Sequence, residues 1–407
     1  MPGTHLHRDD AARLFMGTRH NPMVVTAVLR LGGRLDLDAL HTLVATRALG
    51  LPRMRARIVV PWLGTPRWEE PTALRPEMFV TQLPPLASNS DERALADLVA
   101  EIAATPLDFT RPPWHLWSID DASGATTIVA RIHHAIADGV SLLGVLFALS
   151  DEGAGVVPIT PSSSRIVASG FGDLFSHTPK TRRPRALSRP LGGHKRFAWS
   201  RAFPLTELRQ RAHAFSAHVN DVLLASIGGA LREFLLRRGE SPDAPLRALV
   251  PIALPHADSV GNQFVSAFVP IPVHLEHPVA RLMAARDAMR AARTKAGLGL
   301  GRMLVWGTSL TTAVGGRLGG FLERAGVLAA SRGVSLVASD LAGPPIPLHF
   351  GSVPITSILF ASPVPGTVPI AFSAFGYAGS LRITVSVDDT VVGDPWELVS
   401  GLEDDLT

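Results

Sequence analysis

The chain has 407 residues, 46% hydrophobic and 18% charged, which is enough apolar side chain for large cores and excludes a disordered protein. It contains no cysteine, which excludes disulfides, thiolate metal sites and a cysteine nucleophile, and its length suits two domains. The net charge of +4 rests on arginine, since Lys180, Lys195 and Lys295 are the only lysines; with a single tyrosine and no aromatic–basic interleaving, nucleic acid is not an expected partner, and the charge points weakly to a phosphate-bearing ligand or lipid surface.

In chain order, Met1 to Asp10 lacks the basic-then-apolar order of a signal peptide, so a cytoplasmic protein is expected. Met23 to Leu31 reads as a strand, and Asp36 as the cap of a helix with Leu37, Leu40, Leu43 and Val44 on one face. Arg55 to Val60 and Phe79 to Leu83 are strands set among Pro61, Pro66, Pro71 and Pro76. A second amphipathic helix opens at Ser90 or Asp91, buries Leu95, Leu98, Val99 and Ile102, and stops at Pro106. Trp114 to Ile119 and Thr126 to Ile132, joined by the turn formers of Asp120 to Gly124, predict an antiparallel hairpin. A helix over Val140 to Leu149 follows, and a first domain, 1–151, closes there.

Residues 152–195 are rich in Pro, Ser, Gly and Arg and read as a crossover linker. Its cluster Arg182-Arg183-Pro184-Arg185 is either solvated or set against an anionic lipid surface. Phe197 to Phe203 predicts a strand, Pro204 a first helical position, and Val219 to Leu236 a long apolar helix opening at Asn220-Asp221. Strands are expected over Leu246 to Leu254 and Phe264 to Leu275, then a helix over Val279 to Ala296. The Gly-rich stretch Gly297 to Ala330 holds one or two helices, and the acid-poor Gly297 to Phe321 reads as packed helix, tunnel lining or lipid contact. Strands at Gly333 to Ser339, Thr356 to Ala361, Val368 to Tyr377 and Leu381 to Val387, and a helix from Asp394, complete a second domain, 196–407. Strands alternate with helices in each half, so the predicted class is α/β, in two layered domains.

The chemistry concentrates in His133-His134-Ala135-Ile136-Ala137-Asp138-Gly139, at the junction of strand and helix. A neutral imidazole held there, partly desolvated, takes a proton from an alcohol near neutral pH. Strand alternation sends the two histidines to opposite faces, so only one can meet a substrate. Gly139 lets the chain turn tightly into the helix. The same residues compete for other readings: two histidines and a carboxylate are a candidate metal triad, although adjacent strand histidines diverge. His133 and Asp138 also have HxxxxD spacing, but the Pro-Glu-Gly block that accompanies it in glycerophosphate acyltransferases is absent. Asn220-Asp221 reads equally as a helix N-terminus and as a site pair, and Asn262 after Gly261 as a loop turn or a site residue.

His133-His134-x-x-x-Asp138-Gly139 resembles the HHxxxDG signature of the CoA-dependent acyltransferase superfamily, which includes chloramphenicol acetyltransferase and peptide-synthetase condensation domains. Pro106-Leu107-Asp108 with Arg111-Pro112-Pro113-Trp114 is similar to the PLD…RPLW segment of bacterial wax ester synthase/acyl-CoA:diacylglycerol acyltransferases. Val219 to Ala225 is similar to their ND block, and Gly261-Asn262-Gln263 to their GN segment. Two departures bear on the acceptor side. Pro113 displaces the usual leucine before Trp114, and the SNVPGP segment becomes Ser339-Asp340-Leu341-Ala342-Gly343-Pro344.

The resemblance implies two chloramphenicol acetyltransferase-like domains with a tunnel between them. It implies transfer of a fatty acyl group from acyl-CoA to a fatty alcohol or diacylglycerol, without cofactor, metal or covalent acyl-enzyme. His134 is then the general base, His133 and Gly139 support it, and Asp138 orders the loop through an arginine. Asn220, Asp221, Asn262, Asp108 and Trp114 shape or brace the site. Peripheral contact with a membrane or lipid droplet is also implied. A polar natural-product alcohol or a carrier-bound donor is the alternative, and a non-catalytic lipid-binding module is the reading from another class.

Overall fold

The computed structural model describes residues 4–87, 91–137, 139–153, 183–253, 264–297 and 316–407. The first half runs α1 (Arg8–Met16), β1 (Val24–Leu31), α2 (Leu37–Leu43), β2 (Arg57–Val59), β3 (Arg67–Glu69), β4 (Val80–Gln82), α3 (Glu92–Ala104), β5 (Trp114–Asp120), β6 (Thr126–His133) and α4 (Gly139–Leu149). The second runs β7 (Lys195–Trp199), β8 (Phe203–Pro204), α5 (Leu205–Ala214), α6 (Val219–Arg237), β9 (Leu246–Ala253), β10 (Phe264–Ile271), α7 (Pro278–Gly297) and α8 (Gly316–Ser331). It continues through β11 (Leu336–Ala342), β12 (His349–Phe350), β13 (Val353–Ala361), β14 (Ile370–Tyr377), β15 (Ser380–Asp388) and α9 (Trp396–Leu406).

Local chemistry explains most of these boundaries. Asp91 caps α3, its carboxylate accepting the Arg93 and Ala94 N–H groups at 3.0 Å each. In the β5–β6 turn the Asp121 carboxylate accepts from Ser123 N–H at 2.8 Å and Ala125 N–H at 3.0 Å, closing the expected hairpin with Trp114 opposite Ile132. Other expectations shift. Asp36 occupies the cap of α2 without a side-chain cap bond, and that helix continues as a wider turn over Val44–Ala48. Pro204 caps α5 instead of lying inside it, because the strand expected over Phe197 to Phe203 breaks into β7 and β8. The helix α1 arises where no element is expected. It buries Ala11, Leu14 and Phe15, and Gly320 of α8 sits so close that a Cβ there would meet the Phe15 ring at 2.5 Å.

Two mixed sheets result. The first has the order β12-β13-β1-β6-β5-β4 and the second β10-β9-β11-β14-β15-β7, with β8 also on β15. The division of the chain into 1–151 and 196–407 is crossed within the first sheet: β13, with β12 beside it, comes from the second half and pairs antiparallel with β1, from Thr26 opposite Ala361 to Leu31 opposite Ile355. One core lies around α6, with Leu224, Leu231 and Leu235 fully buried. Another lies between the first sheet, α2 and α4. A third joins the halves, where Leu95, Val99 and Ile102 of α3 meet Phe197 and Trp199 of β7. Within the expected linker, Arg183 is half-buried and its guanidinium donates to the carbonyls of Thr367 at 3.1 Å and Ser331 at 2.7 Å. Residues 298–315, most of the expected tunnel lining, lie outside the described residues. Among the described residues no single helix is long and apolar enough to cross a membrane.

The single tyrosine fastens the crossing. Tyr377, buried at the end of β14, donates its hydroxyl to the Ile355 carbonyl at 2.9 Å and accepts the Leu348 N–H at 2.7 Å. In Tyr377→Phe both backbone groups lose their partner in a dry site, at a cost of about 1–3 kcal/mol. The expected outcome is a melting temperature lower by roughly 5 °C, followed by circular dichroism. An unchanged melting curve would remove the tyrosine from this role.

Candidate active site

The site begins at the last residue of β6. His133 is buried, packed edge-on against Phe109 at a ring separation of 5.1 Å. Its backbone N–H donates to the Pro113 carbonyl at 3.0 Å, and its Nδ1 accepts the Ala135 N–H at 3.2 Å. Nδ1 is therefore unprotonated and the ring proton lies on Nε2. Burial, and then the neighbouring His134, push the ring's pKa down to about 3, against the opposing effect of a hydrogen bond to the Pro22 backbone. His133 is thus a neutral imidazole with both nitrogens committed. That commitment also weakens the competing metal-triad reading, which needs a free His133 nitrogen.

The strand ends here because the Ile136 N–H turns back to the His133 carbonyl at 2.9 Å. His134 is the first residue of that turn, held by its N–H on the Met23 carbonyl at 2.9 Å. Met23 adopts φ +56°, a left-handed conformation rare for a side-chain-bearing residue and found where a neighbouring constraint holds it. The side chain of His134 lines a cleft between the two sheets. Met23 and Phe360 form its wall on the first sheet; Leu249, Ser266, Ser339 and Asp340 form the other. Two further spaces adjoin it. An entirely apolar cavity between the first sheet, α2 and α4, lined by Leu40, Val44, Trp114, Leu142 and Leu146, shares Phe360 with the cleft. A polar crevice with Arg19, His20, Arg131 and Lys195 on its walls shares Met23, Ser362 and Pro363.

The other expected site residues distribute unevenly. Asn220 stands in the first turn of α6 and lines a small space with Ser339, so that β11 separates it from His134. Asp221 is buried and its carboxylate accepts the His218 N–H at 2.8 Å, a helix-start bond. Trp114 stacks on Phe79 at 4.3 Å and donates Nε1–H to the Met54 carbonyl at 2.6 Å, under the hairpin. Asp108 is exposed and accepts from the Thr110 N–H at 2.8 Å and hydroxyl at 2.6 Å. These bonds, and Arg111 at 3.3 Å, lower its pKa and stiffen the approach to β5. Gly139 opens α4, whereas Asp138 and Asn262 lie outside the described residues. Sequence reasoning did not single out Met23, Phe360 or Arg13, which also lines the cleft. No local pattern marks them, because long-range pairing carries them there.

Burial of the His133 ring makes stability depend on pH. The folded ring stays neutral well below the unfolded value of about 6.5, so the unfolded chain binds the extra proton and stability falls as pH drops from that value toward about 3. At pH 5 the wild type is expected to take up about one more proton on unfolding than His133→Gln. Calorimetry in buffers of different ionisation enthalpy measures this, and equal uptake would place a charged ring in the fold.

The wax ester synthase/diacylglycerol acyltransferase catalytic domain matches residues 6–155, and the WS/DGAT C-terminal domain matches residues 260–407. A Mycobacterium tuberculosis protein described as a probable diacylglycerol O-acyltransferase, tgs1, is 26% identical, covering 95% of this chain and 91% of its own. In structure, the wax ester synthase/diacylglycerol acyltransferase from Marinobacter aquaeolei is similar with a TM-score of 0.72 and 20% identity, over 99% of this chain and 98% of that one. The first condensation domain of the calcium-dependent antibiotic synthetase gives a TM-score of 0.62 at 18% identity, over 100% and 94% of the two chains. The structural likenesses establish the chloramphenicol acetyltransferase-like fold. With both family domains matched across the two halves, the chain belongs to the wax ester synthase/diacylglycerol acyltransferase family of acyltransferase enzymes.

Proposed function

We propose that the chain transfers a fatty acyl group from acyl-CoA to an alcohol, giving a wax ester or triacylglycerol, with His134 as general base and no covalent acyl-enzyme. The observation that carries this reading is the placement of His134 at the end of β6, facing a cleft that both sheets line. The alcohol gives its proton to the His134 ring as its oxygen attacks the thioester carbonyl. The tetrahedral oxyanion then collapses, the carbon–sulfur bond breaks, and the imidazolium returns the proton to the departing thiolate. Nucleophile, leaving group and proton carrier are all supplied by the substrates and one side chain, so the step needs no cofactor.

The adjoining spaces suit the two substrates. The apolar cavity behind Phe360 accepts an alkyl chain, whose burial is favourable by about 0.8 kcal/mol per methylene. Arg19 gives the crevice an exposed cation for the anionic end of the CoA, while Lys195 on the same crevice is paired with Asp388 at 3.5 Å. The alcohol then enters by the cleft. His133 holds the turn, and Asp138, Gly139 and Asn262 keep their expected supporting roles in this proposal. Peripheral contact with lipid belongs to it as well. Trp62 is 72% and Phe321 68% exposed, and the two are brought near each other where the Arg317 N–H meets the Trp62 carbonyl at 3.2 Å.

His134→Ala is expected to lower the rate of thiol release from acyl-CoA by about 10²–10⁴-fold with the fold intact by circular dichroism, the range for losing a general base. Thiol release at the wild-type rate in that variant sinks the assignment.

A further inference from the structure

The turn that carries His134 is held from outside its sheet by groups that the proposed acyl transfer does not use. Ile136, two residues beyond the base, is buried between the end of β6 and the start of α4. A buried carbonyl outside the regular ladders needs a donor, and Arg53 supplies one, reaching the Ile136 carbonyl from Nη1 at 3.0 Å across 83 residues of chain. The same guanidinium meets the Asp10 carboxylate of α1 through Nη2 at 2.9 Å and lies 5.6 Å from the centre of the buried Trp68 ring. Its backbone is fixed as well. The next residue, Met54, is buried, with its N–H on the Leu51 carbonyl at 3.0 Å and its carbonyl on Trp114 Nε1–H at 2.6 Å.

Asp10 is enclosed by protein, where a carboxylate is tolerated if cations face it. Two do: Arg53, and at 3.5 Å Arg13, which lines the cleft with His134. The planar fork of a guanidinium serves a carboxylate and a carbonyl at once in one fixed geometry, which an ammonium does not. A general base works only within hydrogen-bond reach of the proton it removes, so a small shift of the turn is felt in the chemical step. We infer that Arg53, oriented by Asp10, is a positioning residue for acyl transfer: it clamps the Ile136 carbonyl and so keeps the His134 ring in line with the hydroxyl it deprotonates. Neither Asp10 nor Arg53 lines the cleft, so both act through the turn. The helix α1 thereby serves more than packing on α8, since it carries the carboxylate that aims the clamp.

This inference rests on the reading of His134 as base, and one set of rates separates their failures. Thiol release from palmitoyl-CoA is followed with 1-hexadecanol or dioleoylglycerol, whichever acceptor is faster. The full chain is compared with Arg53→Lys, Asp10→Asn and His134→Ala, and with each of the first two combined with His134→Ala. Arg53→Lys keeps a cation for Asp10 but loses the fork, so the fold is expected to persist by circular dichroism while kcat falls about 10- to 100-fold and KM stays within about threefold. Asp10→Asn is expected to lower kcat with KM likewise unmoved. In the His134→Ala background, read with more enzyme, neither substitution is expected to change kcat by more than about twofold, because an absent base cannot be misplaced. A purely structural pair would instead multiply its loss onto that of His134. Wild-type kcat in Arg53→Lys, an equal loss with and without His134, or an Arg53→Lys chain that no longer folds each overturns this inference alone. No release from the wild type, or an undiminished rate in His134→Ala, overturns it together with the base assignment.

Discussion

A histidine ring enclosed by protein at the end of a strand must stay uncharged, and that constraint organises the cleft. An imidazolium at His133 would face its own desolvation and the charge of any protonated neighbour, so the ring is held neutral and used as a hydrogen-bonding strut. Because its Nδ1 accepts the N–H two residues on, the backbone has to turn immediately, and the next side chain is swung out of the sheet. Two adjacent, chemically identical side chains thereby acquire opposite surroundings. Met23 bears part of the cost of this arrangement, since its left-handed backbone presents the carbonyl on which the turn is hung.

Around that turn, polarity is partitioned by the fold. The face of the first sheet toward α2 and α4 encloses apolar space, the crevice beside β7 carries arginine and lysine, and the cleft against β11 carries a carboxyl. Met23, Phe360, Ser362 and Pro363 are the walls held in common. Three surfaces of different character, one apolar, one with basic side chains and one with Arg13, His134 and Asp340 together, thus adjoin within one region.

Legibility from the sequence followed the range of the interactions. The β5–β6 hairpin, α3 with its Asp91 cap and the long helix over Val219–Arg237 were all readable, because their turn formers, caps and apolar spacing act within a few residues. So was the histidine pair at a strand end. What escaped depends on contacts hundreds of residues apart. Nothing near Thr356 to Ala361 announces that its partner is β1, and nothing near Phe15 announces the glycine of α8 against which it packs. The N-terminal helix was missed for the same reason, as its short apolar face gains its stability from α8. Arg183 shows the converse: a basic cluster that reads as solvated is partly spent on carbonyls that only the folded chain brings near.

The exchange of β13 also sets an order of events in time. Until residue 361 has left the ribosome, β1 lacks its neighbour and presents a bare edge of N–H and C=O groups beside an unfinished apolar cavity. The amino-terminal sheet therefore cannot mature as an independent unit while the rest is being synthesised, although its hairpin and helices form locally. Closure waits for a loop of more than three hundred residues, which makes assembly of the cleft a late and slow step of folding. A nascent chain stalled between the two halves would expose that edge as a template for pairing with other chains.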